Sequence, residues 1–367
     1  MSQRVRRTKV RGGSYCVERN SWQRSGTGAG GRNAFAFSDR RFLNGRDDQF
    51  GTVGLTHMRI LIIGELNVDL VLHNYQTFPA LGQEVLVEDA TLTLGSASAI
   101  CAAGLARLGD EVTYVSKAGQ DAWGDLCVEA LNSLGVDTSQ VTRDASVKTG
   151  ITVSITSARD RALVTYLGSI AALRGSDVRT DLFRGFDHLH VSSFFLQQGL
   201  RPDVKKLLRS AHGQGLSTSL DPGFDPDDKW ERDLVDALDE VDVFLPNEVE
   251  LSRMTGTDDV EPGLRKLANR RTLIMAKLGA SGCAAIDSSG AFLAAPGFKV
   301  DAVDTTGAGD SFNAGFLHAW LRKVPLKAAM RFACACGALS TLKAGGTGSQ
   351  ADEGQAQEFL SRQGVTA

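Results

Sequence analysis

The chain divides near residue 58 into a polar segment and a segment with regular hydrophobic patterning. From Met58, the run MRILIIGELNVDLVL has the pattern of a buried strand, a glycine turn and an alternating, half-exposed strand. Alternating patterns continue through residues 79–95, and residues 149–168 have the pattern of a β-hairpin that turns near Ala158–Asp160. These stretches predict a small β-sheet.

Helical patterns alternate with short buried-strand patterns through the remainder of the chain. Examples are ASAICAAGLARLG followed by EVTYVSKAG, and DVKKLLRSAHGQG followed by STSLDPG. Strands separated by helices favour a parallel sheet covered on both faces, which is an α/β fold. Ligands of such sheets bind beyond the carboxyl ends of the strands, so we expect the functional site at that edge.

Composition places the chain among ordinary globular proteins. Of its 367 residues, 42% are hydrophobic and 23% are charged. The apolar runs are shorter than the roughly 18 residues that a membrane-spanning helix needs, so we expect no membrane partner. Six cysteines without a CxxC pair indicate neither a disulfide framework nor a zinc site, and they favour a reducing, cytoplasmic location.

Residues 1–57 carry eleven Lys and Arg against four Asp and Glu, and they lack apolar periodicity. A segment of this composition cannot bury enough surface to fold, so we expect a disordered basic extension. Its arginine content is typical of organelle transit peptides, but a start codon assigned too early, with Met58 as the true start, is the favoured interpretation. Arginines without interleaved aromatic residues are a weak signal for nucleic acid, and we expect no such partner.

The stretch DTTGAGDSFNAGFLHAWL, at 304–321, combines two glycines with a carboxylate at a predicted helix start. Its apolar residues share one helical face, so the helix is expected to begin near Ala308, with Asp310 in the first turn. One interpretation is that Asp310 only favours the helix dipole, but Gly307 and Gly309 would also let a phosphate approach the backbone. A carboxylate beside a bound phosphate can accept the proton of a hydroxyl group, which is the geometry of phosphoryl transfer to an alcohol.

Two further pairs of polar residues are spaced so that their side chains share a face. In PNEVE, Asn247 and Glu250 are three apart on a predicted helical turn, which fits either a helix cap or a ligand site. In GELNVDLVL, Asn67 and Asp69 are two apart on a predicted strand, which fits either a solubilised edge or a substrate site.

The 304–321 stretch resembles the carboxyl-terminal signature of the ribokinase, or PfkB, family of carbohydrate kinases, and the similarity covers residues 58–363. The resemblance implies a ribokinase-like α/β fold, with a mainly parallel central sheet flanked by helices and a small β-sheet lid from about 69–95 and 149–168. It also implies ATP-dependent phosphorylation of a hydroxymethyl group on a sugar. In that case Asp310 is the catalytic base and Gly307, Ala308 and Gly309 form the anion hole.

The same resemblance assigns the remaining site residues. Asn247 would contact the nucleotide, and Glu250 would hold Mg²⁺ partly through water. The loop KLGASG would contact the nucleotide through Lys277, Gly279 and Gly282. Asp304, with Thr306, would shape a site for a monovalent cation such as K⁺. The acceptor sugar would be bound by Asn67, Asp69 and Gly95. Separately from the resemblance, an exposed face of the small sheet would favour a homodimer formed through it.

The chain departs from the family pattern GGxxAN, because it has GSASAI at 95–100. Ser96 replaces the second glycine, and Ile100 replaces an asparagine that contacts the sugar. Ile100 either packs in the core or faces the acceptor, and in the second case ribose should be a poor substrate. Two alternatives stay open here, a nucleoside kinase of the same family and a non-catalytic sugar-sensing relative.

Overall fold

Thirteen strands form two separate sheets in the computed structural model, which describes residues 57–156 and 161–365. The predicted disorder of residues 1–57 falls on a segment of which only residue 57 is described, and the predicted turn at 158–160 also lies outside these ranges. The strands are β1 (Arg59–Ile63), β2 (Asn67–His73), β3 (Asp89–Leu94), β4 (Glu111–Gly119), β5 (Asp137–Asp144), β6 (Gly150–Thr156), β7 (Arg161–Tyr166), β8 (His188–Val191), β9 (Ser217–Leu220), β10 (Val243–Phe244), β11 (Leu273–Lys277), β12 (Cys283–Ile286) and β13 (Phe292–Ala295).

The large sheet has the strand order β13-β12-β11-β10-β9-β8-β1-β4-β5, and β12 is antiparallel to both of its neighbours while the other pairs are parallel. From the boundary between β1 and β8, the sheet continues through β4 and β5 on one side and through β9 to β13 on the other. The order of the strands therefore reverses at that boundary, which is where ligands bind in open α/β sheets.

Nine helices of the described residues cover the two faces of this sheet. Side chains alternate along β1, so Ile60 and Ile62 pack on one face and Leu61 and Ile63 on the other. The first face is covered by α1 (Ala97–Arg107), α2 (Ala122–Ser133), α7 (Ala308–Leu321), α8 (Leu326–Ser340) and α9 (Glu353–Arg362). The second is covered by α3 (Val204–His212), α4 (Arg232–Ala237), α5 (Glu248–Thr255) and α6 (Val260–Leu267).

The small sheet has the order β3-β2-β6-β7 and two chemically different faces. Val68 and Leu70 pair with Leu94 and Leu92, and every residue on their face of the four strands is apolar. The opposite face carries Asn67 and Asp69 together with threonines of the neighbouring strands. The sheet predicted from the sequence is therefore present.

The prediction of strands throughout residues 79–95 is wrong for its first half. Strand pairing begins only at Asp89, and residues 79–88 form turns and irregular backbone. Leu81 and Leu86 are exposed there, because no strand of the described residues lies beside them to bury alternate side chains.

Two expectations from composition can be compared with the structure. No helix among the described residues has the length and apolar character needed to cross a bilayer. The five cysteines of the described residues are all free and buried.

Candidate active site

Helix α7 begins at Ala308, as predicted, and Asp310 lies in its first turn. Gly307 adopts a left-handed conformation (φ 72°), and a methyl group added there would lie 2.8 Å from the Cα atom of Gly346. Both the conformation and the close approach therefore require glycine. The N–H of Ala308 donates to the carbonyl of Thr305 at 3.2 Å, so this amide must be shared or released before it can bind an anion.

Asp304 joins the loop before α7 to a second glycine-rich loop, AGGTGS at residues 344–349. One carboxylate oxygen accepts the N–H of Thr306 and the other accepts the N–H of Gly345, each at 2.9 Å. Asp304 therefore fixes two loops against each other, and its role toward a monovalent cation stays a prediction.

Ile100 packs directly against these two loops. A methyl group added at Gly346 would lie 2.4 Å from Ile100 Cδ1, and one added at Gly307 would lie 2.9 Å from Ile100 Cγ2. The Ile100 side chain is buried. Ile100 is therefore packed, and it borders the loop that starts α7; whether it faces the acceptor stays a prediction.

The three predicted acceptor-binding residues lie together where the small sheet meets α1. Asn67 Nδ2 donates to Asp69 Oδ1 at 3.0 Å, which agrees with the prediction that both side chains point the same way. A methyl group at Gly95 would lie 2.1 Å from that same Asp69 oxygen. Gly95 therefore leaves the space that the carboxylate occupies, and any larger residue would displace it.

Ser96 has a backbone conformation that is rare for a residue with a side chain (φ 73°, ψ 119°). Its hydroxyl donates to the carbonyl of Glu65 at 2.6 Å and accepts the N–H of Ala99 at 3.0 Å, so it caps α1. Glycine would adopt this conformation more easily, and the serine hydroxyl offsets its cost through these two hydrogen bonds.

Asn247 and Glu250 form a capping box at the start of α5. The N–H of Asn247 donates to Glu250 Oε2 at 2.8 Å, and the N–H of Glu250 donates to Asn247 Oδ1 at 2.9 Å. The pair therefore does act as a cap, but it is not on the surface, because Glu250 is only 4% exposed.

Glu250 is a carboxyl group that resists ionisation in this position. Burial, reinforced by the negative charge of Asp221, raises its pKa from 4.5 to about 7, although Lys277 opposes the shift. A raised carboxyl pKa means that ionisation costs the folded state more than the unfolded state. The contribution of this group to stability is therefore lost as the pH rises from about 4.5 to about 7. A cation beside Glu250 would reverse that effect.

The loop that follows β11 contains two glycines in left-handed conformations, Gly279 (φ 56°) and Gly282 (φ 101°). A methyl group at Gly282 would lie 2.1 Å from the carbonyl oxygen of Ala295, so the turn passes very close to β13. Lys277, at the end of β11, forms an isolated parallel bridge with Asn247. Lys277 also lies beside α7, since a methyl group at Gly309 would be 3.7 Å from Lys277 Nζ.

Sequence reasoning missed two polar groups at the same edge of the sheet. Asp221 follows β9 and forms a buried ion pair with Lys277, and Asn313 of α7 contacts both. Glu65 follows β1 and accepts hydrogen bonds from Ser98 and Ser193 at 2.6 and 2.8 Å. The sequence did carry a signal for Asp221, because it is a carboxylate directly after a buried strand, where ligands of such sheets bind. Glu65 lies in a similar place, two residues after the end of β1.

These contacts form two groups of predicted residues. Asn247, Lys277 and the first turn of α7 meet at the carboxyl ends of β10 and β11. The acceptor group, with Asn67, Asp69 and Gly95, lies at the base of the small sheet and continues into α1. The two groups are linked through Ile100, which contacts Gly307 from α1.

The chain is similar in sequence to known carbohydrate kinases. The sequence profile of the pfkB family carbohydrate kinases matches residues 58–353. An ATP-dependent ribose-1-phosphate kinase from Halopiger xanaduensis is 31% identical over 292 residues, which cover 78% of this chain and 93% of the relative. A probable fructokinase-4 from Arabidopsis thaliana is 28% identical over 291 residues, covering 72% and 87%.

Solved structures support the fold. The structure of Arabidopsis thaliana ribokinase complexed with ribose and ATP superimposes with a TM-score of 0.72 and 23% sequence identity, and covers 83% of this chain and 99% of that one. At this identity the likeness concerns the fold, and it confirms the predicted architecture of a mostly parallel central sheet with a small second sheet.

Proposed function

Because this chain belongs to the pfkB family of carbohydrate kinases, we propose that it transfers the γ-phosphoryl group of ATP to a hydroxymethyl group of a sugar, with Asp310 as the general base. The chain is an ATP-dependent carbohydrate kinase, which confirms the predicted enzyme class. The names of its relatives make ribose, ribose 1-phosphate and fructose the first acceptors to test.

The observation that carries the proposed mechanism is the position of Asp310 in the first turn of α7, three residues after the left-handed Gly307. The N–H groups at the amino end of a helix attract anions, so this turn would bind the transferring phosphoryl group once the Ala308 N–H is released from the Thr305 carbonyl. Asp310 would then accept the proton of the acceptor hydroxyl. The oxygen of that hydroxyl bonds to the γ-phosphorus as the bond between the γ-phosphorus and the ADP oxygen breaks. Asn67 and Asp69 would orient the acceptor through hydrogen bonds to its other hydroxyl groups.

Magnesium and potassium belong to this proposal. The described residues contain no group of three or more His, Cys, Asp or Glu side chains that could hold a metal ion. Mg²⁺ keeps several waters and binds through one or two carboxylates plus phosphates. Glu250, with its raised pKa, is the carboxylate we assign to it, and Asp304 is the residue we assign to a monovalent cation. When bound, Mg²⁺ would neutralise charge on the phosphates.

The experiment is an ADP-release assay over a panel of ketoses, aldoses, sugar acids, phosphosugars and nucleosides. With the best acceptor, Asp310→Asn should lower turnover by at least about 10²-fold, the usual contribution of a general base. Asp125 provides a matched control, because it is an exposed first-turn aspartate of another helix, and Asp125→Asn should leave turnover nearly unchanged. Near-normal turnover of Asp310→Asn would exclude the assigned role, and activity on nucleosides alone would favour a nucleoside kinase.

The apolar face of the small sheet supports the proposed homodimer. Leu92, Val164 and Tyr166 lie on that face and are 44%, 60% and 52% exposed. A second copy of the same face is the simplest partner that would cover them. Val164→Glu should convert a dimer to a monomer in light scattering, whereas Leu163→Glu, on the opposite face of the same strand, should not. A monomeric parent protein would contradict this proposal.

A further inference from the structure

Lys277, Asp221 and Asn313 form a closed triangle of polar contacts at the carboxyl ends of β9 and β11. The Lys277 ammonium donates to Asp221 Oδ2 and, at 3.3 Å, to Asn313 Oδ1. Asn313 Nδ2 donates to the same Asp221 oxygen. The lysine and aspartate side chains are 11% and 5% exposed, and Asn313 is fully buried. The ammonium therefore has a defined position set by two acceptors.

That position is beside the anion-binding end of α7. A methyl group added at Gly309 would be 3.7 Å from both Lys277 Cδ and Lys277 Nζ. Gly309 immediately precedes Asp310, and it belongs to the turn that would bind the transferring phosphoryl group. The fixed ammonium therefore lies beside the turn that starts α7.

The ammonium is also charged under ordinary conditions. Burial by itself lowers the pKa of Lys277, but the carboxylates of Asp221 and then Glu250 outweigh it, and the pKa is raised above 10.5. The surrounding carboxylates, Asp221, Glu250 and Asp310, are all negative when ionised. A phosphate that enters this region needs a compensating cation, and Lys277 lies where such a cation is required.

Resting on the function proposed above, we propose that Lys277 binds the phosphoryl group while it is transferred, and that Asp221 and Asn313 are positioning residues that hold its ammonium at the anion hole. In the step itself the acceptor oxygen bonds to the γ-phosphorus, and the bond to the ADP oxygen breaks, with its electron pair leaving on ADP. The hydroxyl proton passes to Asp310. Lys277 remains protonated throughout and supplies only positive charge and hydrogen bonds.

The test separates contact with the γ-phosphate from general nucleotide binding. Titration calorimetry with ADP and with β,γ-imido-ATP needs no acceptor. Lys277→Met should weaken binding of the imido analogue at least about tenfold while ADP binding changes less than about threefold, since a lost charged hydrogen bond has effects of this size. With the best acceptor of the panel, the kcat of Lys277→Met should be lower than that of the parent enzyme by at least about 10²-fold.

Lys117 provides a matched control for the loss of a buried lysine. Its side chain is also 11% exposed and pairs with Asp177 at 2.9 Å, at the end of β4. Lys117→Met should leave the ratio of the two nucleotide affinities unchanged. Equal weakening of ADP and imido-ATP by Lys277→Met would overturn the proposal, and so would no weakening of either.

A double-mutant cycle tests the positioning role of Asp221. Asp221→Asn should weaken imido-ATP binding in the parent protein but have little further effect in Lys277→Met, because it acts through the lysine. Equal effects in both backgrounds would overturn that role. If Lys277→Met alone does not fold, the neutral pair Lys277→Met with Asp221→Asn and the conservative Lys277→Arg replace it in the same titrations. Lys277→Arg should retain selective binding of the imido analogue, and a loss of that selectivity would count against the proposal.

The two proposals fail in distinguishable ways. If Asp310→Asn abolishes turnover while Lys277→Met keeps kcat within about threefold, only the role of Lys277 is wrong. If Asp310→Asn is nearly normal, the proposed catalytic mechanism is wrong, whatever the nucleotide titrations show.

Discussion

The backbone of Ser96 provides a stability test that separates strain from hydrogen bonding. Its conformation (φ 73°, ψ 119°) is sparsely populated for residues other than glycine and costs on the order of 1–3 kcal/mol. The hydroxyl offsets this cost by capping α1 through the Ala99 N–H and by donating to the Glu65 carbonyl. Ser96→Ala keeps the strain and loses both hydrogen bonds, whereas Ser96→Gly loses the same bonds and relieves the strain.

The expected magnitudes follow from these contacts. The lost cap and the lost buried hydrogen bond are each about 1 kcal/mol, so Ser96→Ala should destabilise the protein by about 2 kcal/mol. Ser96→Gly regains about 1–3 kcal/mol of strain and gives up about 0.4–1 kcal/mol because glycine increases the entropy of the unfolded chain. The glycine variant should therefore be the more stable of the two by up to about 2.5 kcal/mol.

Asp352 supplies the control, because glycine is also better than alanine at an ordinary helix cap. It caps α9 through the Gln355 N–H with an ordinary conformation (φ −78°). Urea unfolding of alanine and glycine variants at both positions gives two differences in the free energy of unfolding. Because the glycine entropy term is the same at both positions, the difference at Ser96 should exceed that at Asp352 by the strain itself, about 1–3 kcal/mol. Equal differences would show that Ser96 is not strained.

Other predictions concern the site and the amino-terminal segment. Glu250→Gln should raise the Mg²⁺ concentration that gives half-maximal rate, and an unchanged titration would leave Glu250 as a cap alone. In the protein without ligands, the loss of stability between pH 5 and pH 7.5 measured by urea unfolding should be smaller in Glu250→Gln, because the group with the raised pKa is gone; a loss equal to the parent's would contradict the shift. Ribose should be a poorer substrate than fructose or 2-keto-3-deoxygluconate, and Ile100→Asn should narrow the gap if that position borders the acceptor; efficient use of ribose by the parent enzyme would refute this. Removal of residues 1–57 should leave the melting temperature and kcat unchanged, and a large drop in melting temperature would show that the segment packs against the enzyme.

Local features of the sequence were sufficient to predict most helices and strands and the site residues that lie close together in the chain. Helix α7 starts at Ala308 because its apolar residues repeat at helical spacing and glycine precedes them. Asn67 and Asp69 share a face because strand side chains alternate with a period of two. These properties depend on residues a few positions apart, so periodicity and turn residues are enough to predict them. The exposed stretch at 79–88 was mispredicted because alternation alone does not provide a partner strand.

Contacts between distant parts of the chain were decided by the tertiary structure. Asp221 and Lys277 are 56 residues apart, and Asp221 and Asn313 are 92 apart. They meet because β9, β10 and β11 are adjacent and parallel, which brings their carboxyl ends to one edge beside α7. Ile100 likewise meets Gly346 only because α1 packs against α7 and the loops around it. Hydrophobic spacing predicts which face of an element is buried, but strand order and helix packing determine which residues it meets, and these depend on the whole chain at once.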